Sequence, residues 1–266
     1  MTGSLSRAMC GIPEFDQMLG GGFMRNDAVL VAGSAGAGKT TLGLQFLANG
    51  ITKYGENGVY VTFEEMPEQL YRDALNFGWD LKQLEKAGKL KVICTNPSLL
   101  IEAGEEGALL DDPIAEVKAK RIVVDSLSHL RAHVGRGKLR PESYRLIMYL
   151  KRKGLTSLLT AETPQNHGMF MGVADEALSY LVDAIVLLRP VEIQSSMKKA
   201  IAILKMRGSD HDKELREYEI TSTGFRFGLP FSEYEGILSG NTRKVTRMEE
   251  TAERFSHAFA GNRKKA

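Results

Sequence analysis

Residues Gly33-Ser34-Ala35-Gly36-Ala37-Gly38-Lys39-Thr40 match G-x-x-x-x-G-K-[ST] at every fixed position. No other stretch limits the fold as severely, because the motif works only where a buried strand leads into the loop and a helix leads out. Both flanks comply. Ala28–Ala32 is an uninterrupted apolar run that reads as a buried strand. Thr40–Asn49 follows with helical periodicity, and Gly50 is the expected C-cap. Glycine and small residues let consecutive N–H groups curl inward. The helix N-terminus adds positive dipole where phosphate charge would sit. Lys39 is then expected to reach the β- and γ-phosphates and the Thr40 hydroxyl to ligate Mg²⁺, with Thr41 beside them. The motif implies binding and hydrolysis of a nucleoside triphosphate, with ATP and Mg²⁺ as the cofactors.

Strand-like and helix-like segments alternate downstream, which predicts an α/β fold with a mostly parallel sheet flanked by helices. Strands are expected at Gly58–Phe63, Leu90–Cys94, Arg121–Asp125, Thr156–Ala161 and Ala184–Leu188. Helices are expected at Pro67–Phe77, Leu109–Lys118 and Pro141–Arg152, two of them opened by a proline whose missing N–H costs nothing in a first turn. The pattern then changes. Val191–Gln194, Ala200–Met206 and Leu215–Thr221 read as ribbons joined by short polar turns, an antiparallel edge on the C-terminal side. The expected division is an ATPase domain over 1–240 and a basic tail over 241–266. In that tail Met248, Ala252, Phe255 and Phe259 recur at near-helical spacing.

Acids close two of the strands. Asp125 ends Ile122-Val123-Val124, where open parallel sheets bind ligands, and is expected to hold Mg²⁺ through water. An N-cap for the following helix fits the same residue. Glu64 and Glu65 end the strand before Pro67. A carboxylate there is placed to orient and deprotonate an attacking water, and equally to start a helix in an acidic turn.

Bulk properties exclude little. The chain of 266 residues carries 35 basic and 33 acidic side chains, so global charge gives no reason to expect nucleic acid. A local exception is Ser128–Arg140, where Arg131, His133, Arg136, Lys138 and Arg140 alternate with small residues. It reads as a basic loop for DNA or as an ordinary solvated surface. The two cysteines, Cys10 and Cys94, match no metal or disulfide framework. The N-terminus has no apolar run of signal-peptide length, and no run approaches a membrane span, so a cytoplasmic protein without membrane contact is expected.

Three further segments carry a resemblance. Gly11-Ile12-Pro13-Glu14-Phe15-Asp16-Gln17-Met18-Leu19-Gly20-Gly21-Gly22 is similar to the opening signature of the RecA/RadA/KaiC superfamily. Thr62-Phe63-Glu64-Glu65 resembles the catalytic glutamate pair of KaiC. Lys205-Met206-Arg207-Gly208-Ser209, followed by His211 and Lys213, resembles the KaiC segment that crosses a subunit boundary to a neighbour's nucleotide. The likeness runs from about Gly11 to Gly240 and is most specific at Lys205–Gly208.

The resemblance implies a RecA-type P-loop NTPase fold in a homohexameric ring with ATP in the subunit clefts. It makes Glu64 the general base with Glu65 beside it, and gives Lys205 and Arg207 a role in trans on γ-phosphate charge. It turns Met206, Lys199, His211 and Lys213 toward the neighbour's nucleotide and places Phe77 over the base. Phe77 as a core residue, and Lys205 and Arg207 as a solvated β-edge, remain the alternatives. The family's clock protein has two tandem ATPase domains and an adjacent Ser-Thr autophosphorylation site. One domain is expected here, with Ser179-Tyr180 at the matching positions, so Ser179 is the candidate phosphoacceptor and no clock role is expected. The leading reading is an oligomeric regulatory ATPase with an unidentified protein partner. The alternative is a DNA-binding, RecA/RadA-like recombination mediator.

Overall fold

A computed structural model describes residues 6–102, 109–163, 176–239 and 241–244. The chain enters through a short antiparallel ribbon, β1 (Arg7–Ala8) with β2 (Phe23–Met24), and the helix α1 (Pro13–Met18) between them. Asp16 secures this entry by accepting the N–H groups of Cys10 at 2.6 Å and Gly11 at 2.9 Å.

The body is a nine-stranded sheet. Its parallel part consists of β3 (Ala28–Gly33), β4 (Gly58–Thr62), β5 (Leu90–Cys94), β6 (Arg121–Asp125), β7 (Thr156–Glu162) and β8 (Ala184–Ile193). Three antiparallel strands extend it: β9 (Ser196–Met206), β10 (Arg216–Thr221) and β11 (Gly224–Pro230). The order is β11-β10-β9-β8-β3-β7-β6-β4-β5, with β3 near the centre. A last short ribbon pairs β12 (Tyr234–Glu235) with β13 (Arg243–Lys244).

Helices cover both faces. α2 (Lys39–Tyr54), α3 (Pro67–Leu75) and α4 (Leu81–Lys86) pack on one. α5 (Pro97–Glu102), α6 (Asp111–Val117), α7 (Leu127–Val134), α8 (Arg136–Arg152) and the one-turn α9 (Glu176–Ser179) belong to the other. Residues of β3 alternate between the two cores. Val29 and Val31 face the α2 side, while Ala28, Leu30 and Ala32 face the α7–α8 side. A sheet buried on both faces explains why these strands read as unbroken apolar runs. The fold is RecA-type α/β, with the expected antiparallel edge.

Some boundaries differ from the expectation, each for a physical reason. α2 does not stop at Gly50 but runs to Tyr54, where Gly55 takes a left-handed φ of 65°. Gly50 is instead a packing glycine, since a Cβ there would lie 2.6 Å from Arg121 Cδ. β8 is one strand where two were expected. Its pairing with β3 ends at Leu188, so Pro190 needs no N–H on that side. The basic segment Ser128–Arg140 is not a loop. α7 and α8 occupy it, broken only at Gly135, and Leu130 and Leu139 anchor the two helices in the core. The tail positions Met248, Ala252, Phe255 and Phe259 lie outside the described residues.

Two buried charge clusters hold the end of the sheet opposite the loop. Arg121, fully buried, donates to Glu56 at 2.7 Å and to the Phe46 carbonyl at 2.9 Å, and stacks 4.5 Å over the Phe46 ring. Asp183 accepts the Ala28 N–H at 2.9 Å and pairs with Lys151 at 2.5 Å. Beside it, burial and then the Asp183 charge push the Asp27 carboxyl up to about 6. A raised folded value means that folded protein holds this proton more tightly than unfolded chain. The contribution is complete below the unfolded carboxylate range and is lost as pH rises through about 6. Asp27→Asn should therefore gain stability relative to the native chain between pH 4.5 and pH 7.5, by about 1 kcal/mol after solvent screening. Urea denaturation at both pH values reads this. Arg121→Ala should cost about 3–5 kcal/mol in the same assay, because it empties a fully buried site and leaves Glu56 only its pair with the partly exposed Arg25.

Candidate nucleotide site

Parallel register gathers the site. Gly33 pairs with Glu162 and Thr62 with Asp125, so the carboxyl ends of β3, β7, β4 and β6 meet at one edge of the sheet. Open α/β sheets bind ligands at this edge. Here it forms a cleft of about 350 Å³ lined by the loop, Thr62, Glu64, Glu65, Asp125, Glu162 and Ile220.

The loop 34–38 turns through Gly36 at φ 73° and Gly38 at φ 96°. At Gly38 the positive φ calls for glycine, and an added Cβ would lie 2.5 Å from Ile220 Cδ1, so that side chain would have to shift. β9 and β10 buttress the loop in two further ways. The Tyr218 hydroxyl donates to the Ala37 carbonyl at 2.6 Å, and Lys199 Nζ donates to the Gly36 carbonyl at 3.3 Å. α2 starts at Lys39 with no side-chain cap, so its first N–H groups keep their donor capacity toward the loop.

Lys39 is nearly buried. Its ammonium donates to the carbonyls of Gly33 at 3.0 Å and Ser34 at 2.9 Å. Burial lowers its pKa, and the charges of Glu162 and Asp125 oppose that shift. Asp125 is tied from three sides. Thr40 Oγ1 donates to Oδ2 at 2.6 Å and the Tyr60 hydroxyl at 2.8 Å, and Thr160 Oγ1 donates to Oδ1. Tyr60 is fully buried, and burial followed by the Asp125 charge raises its pKa well above the ordinary value.

The oxygens of Thr40 and Asp125 fit a magnesium ion, which takes hard oxygen donors and is bound through one or two protein groups plus substrate phosphates. Among the described residues no group of three or more His, Cys, Asp and Glu could form an all-protein metal cage.

The glutamates follow β4. Their N–H groups both point to Thr62 Oγ1, at 3.3 Å from Glu64 and 3.1 Å from Glu65. Glu64 reaches across to His129 Nε2 at 2.8 Å, with 71% of its side chain exposed. Glu65 is more enclosed. Burial, then Asp125, Asp73 and Glu64, raise its pKa.

Other candidate residues stand elsewhere. Phe77 stacks on Trp79 at 4.9 Å in the turn after α3 and does not line the cleft. Lys205 Nζ donates to the carbonyls of Ser179 and Val182, both at 2.7 Å. Arg207 donates to the Tyr180 carbonyl at 2.6 Å. Met206 turns into the core. His211 is half-buried, and Lys213 pairs with Asp210 at 3.4 Å. Lys205 pairs with Ile185 and the Arg207 N–H with the Asp183 carbonyl, so both lie toward the opposite end of the sheet from the chain's own loop. Gly33 and Ala28 bound that span, about 16 Å along β3. Tyr60, Thr160, Glu162, Ile220 and His129 were not singled out from the sequence. The first four occupy strand positions whose relation to the loop depends on register, which spacing does not reveal.

A glycine-turned loop between a buried strand and an uncapped helix, with an acid on a nearby parallel strand, defines a P-loop nucleotide-binding protein. The family model for the KaiC ATPase matches residues 8–229, and the chain belongs to that family. It is 38% identical over 253 residues to the circadian clock protein KaiC3 of a Synechocystis species, covering 95% of this chain and 49% of the relative. It is 36% identical over 250 residues to the circadian clock oscillator protein KaiC of Thermostichus vulcanus, covering 92% and 47%. The chain thus spans about half the length of the curated relatives it matches. Among the described residues no helix is long and apolar enough to cross a membrane.

Lys39→Ala removes the loop's cation. It should weaken binding of a fluorescent ATP analogue by about a hundredfold or more, with the circular dichroism spectrum unchanged. Native affinity in this variant would sink the loop assignment.

Proposed function

We propose that this chain binds ATP with Mg²⁺ through Gly33–Thr41 and hydrolyses it, in a ring whose sites are shared between neighbouring subunits. The observation that carries the reading is convergence: Lys39, Thr40, Asp125 and Glu64 line one cleft at the carboxyl ends of parallel strands. Glu64 accepts the proton of the attacking water. Loop N–H groups and Lys39 take up charge on the β- and γ-phosphates as the bond between the γ-phosphorus and the β–γ bridging oxygen breaks. When bound, Mg²⁺ would supply further neutralisation of the phosphate charge, and Thr40 and Asp125 are the residues that would hold it.

Lys205 and Arg207 face away from their own cleft, which supports a role at a neighbour's site. His211 and Lys213 follow in the same turn. Lys199 touches its own loop, so its contribution is to the chain's own nucleotide. Phe77 stacks one ring face on Trp79 and lies outside the cleft lining, so no observation favours a part for it in binding the base. Ser179 is the phosphoacceptor for a weak autokinase side reaction. The unit is the domain 1–240 with a tail 241–266, acting in the cytoplasm as a regulatory component for a protein partner of unknown identity. The DNA-binding reading rested on a basic loop at Ser128–Arg140. That segment is helical, and no observation favours the reading further.

Two results test this. Glu64→Gln should bind ATP normally and release phosphate about two to four orders of magnitude more slowly. Arg207→Ala should also be slow, and mixing the two variants should restore part of the native rate. Such rescue requires sites built from two chains; its absence would overturn the shared-site arrangement. Light scattering with ATP–Mg²⁺ should show a particle of about six 29.3 kDa chains, and a monomer would contradict the ring.

A further inference from the structure

Glu64 is poorly suited, by itself, to the work proposed for it. Its side chain is 71% exposed, on an irregular segment between β4 and Pro67. An unrestrained carboxylate on a loop samples several rotamers, whereas a general base must stay within hydrogen-bond reach of one water. Misplacement by about 1 Å costs on the order of a hundredfold in rate. Something must hold it.

His129 is in place to do so. It lies in the first turn of α7, four residues after Asp125, and its Nε2 is 2.8 Å from Glu64 Oε1. Its Nδ1 is 3.2 Å from the hydroxyl of Ser126, which is 5% exposed. The Phe63 ring packs beside the imidazole, 6.1 Å between centroids. These contacts are consistent with one neutral tautomer. Ser126 donates to Nδ1, and Nε2–H is then free to donate to the carboxylate. Ser126 is joined to Asp125, so the chain Asp125–Ser126–His129–Glu64 links the acid facing Thr40 to the glutamate across the cleft mouth. Among the described residues, no side chain other than His129 is paired with Glu64.

We propose that His129 is the positioning residue for Glu64, its Nε2–H holding the carboxylate over the cleft and Ser126 setting its tautomer. The inference rests on Glu64 being the general base. His129 is not among the residues lining the cleft and acts through Glu64.

The test is a double-mutant cycle on the full chain, read as phosphate release and as ATP affinity. His129→Phe keeps the ring beside Phe63 and removes the donor. It should lower kcat about tenfold or more with ATP affinity unchanged. His129→Gln restores an N–H donor and should stay within about threefold of the native rate. In the Glu64→Gln background, His129→Phe should have no further effect, because an interaction acting through a missing base cannot be lost twice. A reading independent of turnover comes from histidine ¹⁵N NMR: the native ring should be protonated at Nε2, and Glu64→Ala should weaken that preference. Full additivity of His129→Phe with Glu64→Gln would overturn the positioning role while leaving the base in place. An unchanged rate in Glu64→Gln alone would overturn both, and so identifies which assignment failed. A matching loss of ATP affinity in His129→Phe and His129→Gln would also overturn the proposal, showing a structural residue.

Discussion

Strand register is the constraint on which the rest depends. Gly33 lies opposite Glu162 and Thr62 opposite Asp125 because four neighbouring strands run parallel, with β3 and β7 ending about two residues beyond β4 and β6. Shift one of them by a residue and its side chains swap faces. Asp125 would then leave Thr40, Tyr60 and Thr160, and the start of α2 would lose its hydrogen bond to β6. Two apolar cores lock that register, one on each face, each reading alternate residues of β3. Hydrophobic burial, a non-directional force, thus sets which polar groups meet at the loop.

The antiparallel edge is more than an appendage. Ile220 closes on Gly38, Tyr218 holds the Ala37 carbonyl and Lys199 the Gly36 carbonyl, so β9 and β10 brace the phosphate loop from the face of the sheet that also packs on α2. The same β9 carries Lys205 at its far end, with Arg207 just beyond. One strand therefore touches the chain's own loop near its start and, at its far end, carries Lys205 against the carbonyls of Ser179 and Val182.

What the sequence disclosed follows from which signals are local. The loop, its two flanks, the parallel strands and the switch to an antiparallel edge are written in short-range patterns, and all appear in the fold. Gly50 misled because a glycine late in a helical run has two meanings, a left-handed cap or a close packing contact; here Arg121 makes it the second. The stretch Ser128–Arg140 misled because its charges masked Leu130 and Leu139, whose burial makes it helical. Tyr60, Thr160 and Glu162 escaped notice because their proximity to the loop exists only across strands. His129 is four residues from Asp125, yet its meaning comes from Glu64, which is brought to it by the sheet.

The central claim is that this cleft turns over ATP with magnesium. The most direct measurement is release of inorganic phosphate from ATP by the purified native chain, first with Mg²⁺ and then with the metal removed by EDTA. The account predicts steady release that stops on chelation and resumes when Mg²⁺ is restored. Tight ATP binding with no phosphate release in Mg²⁺, or a rate indifferent to EDTA, would contradict it.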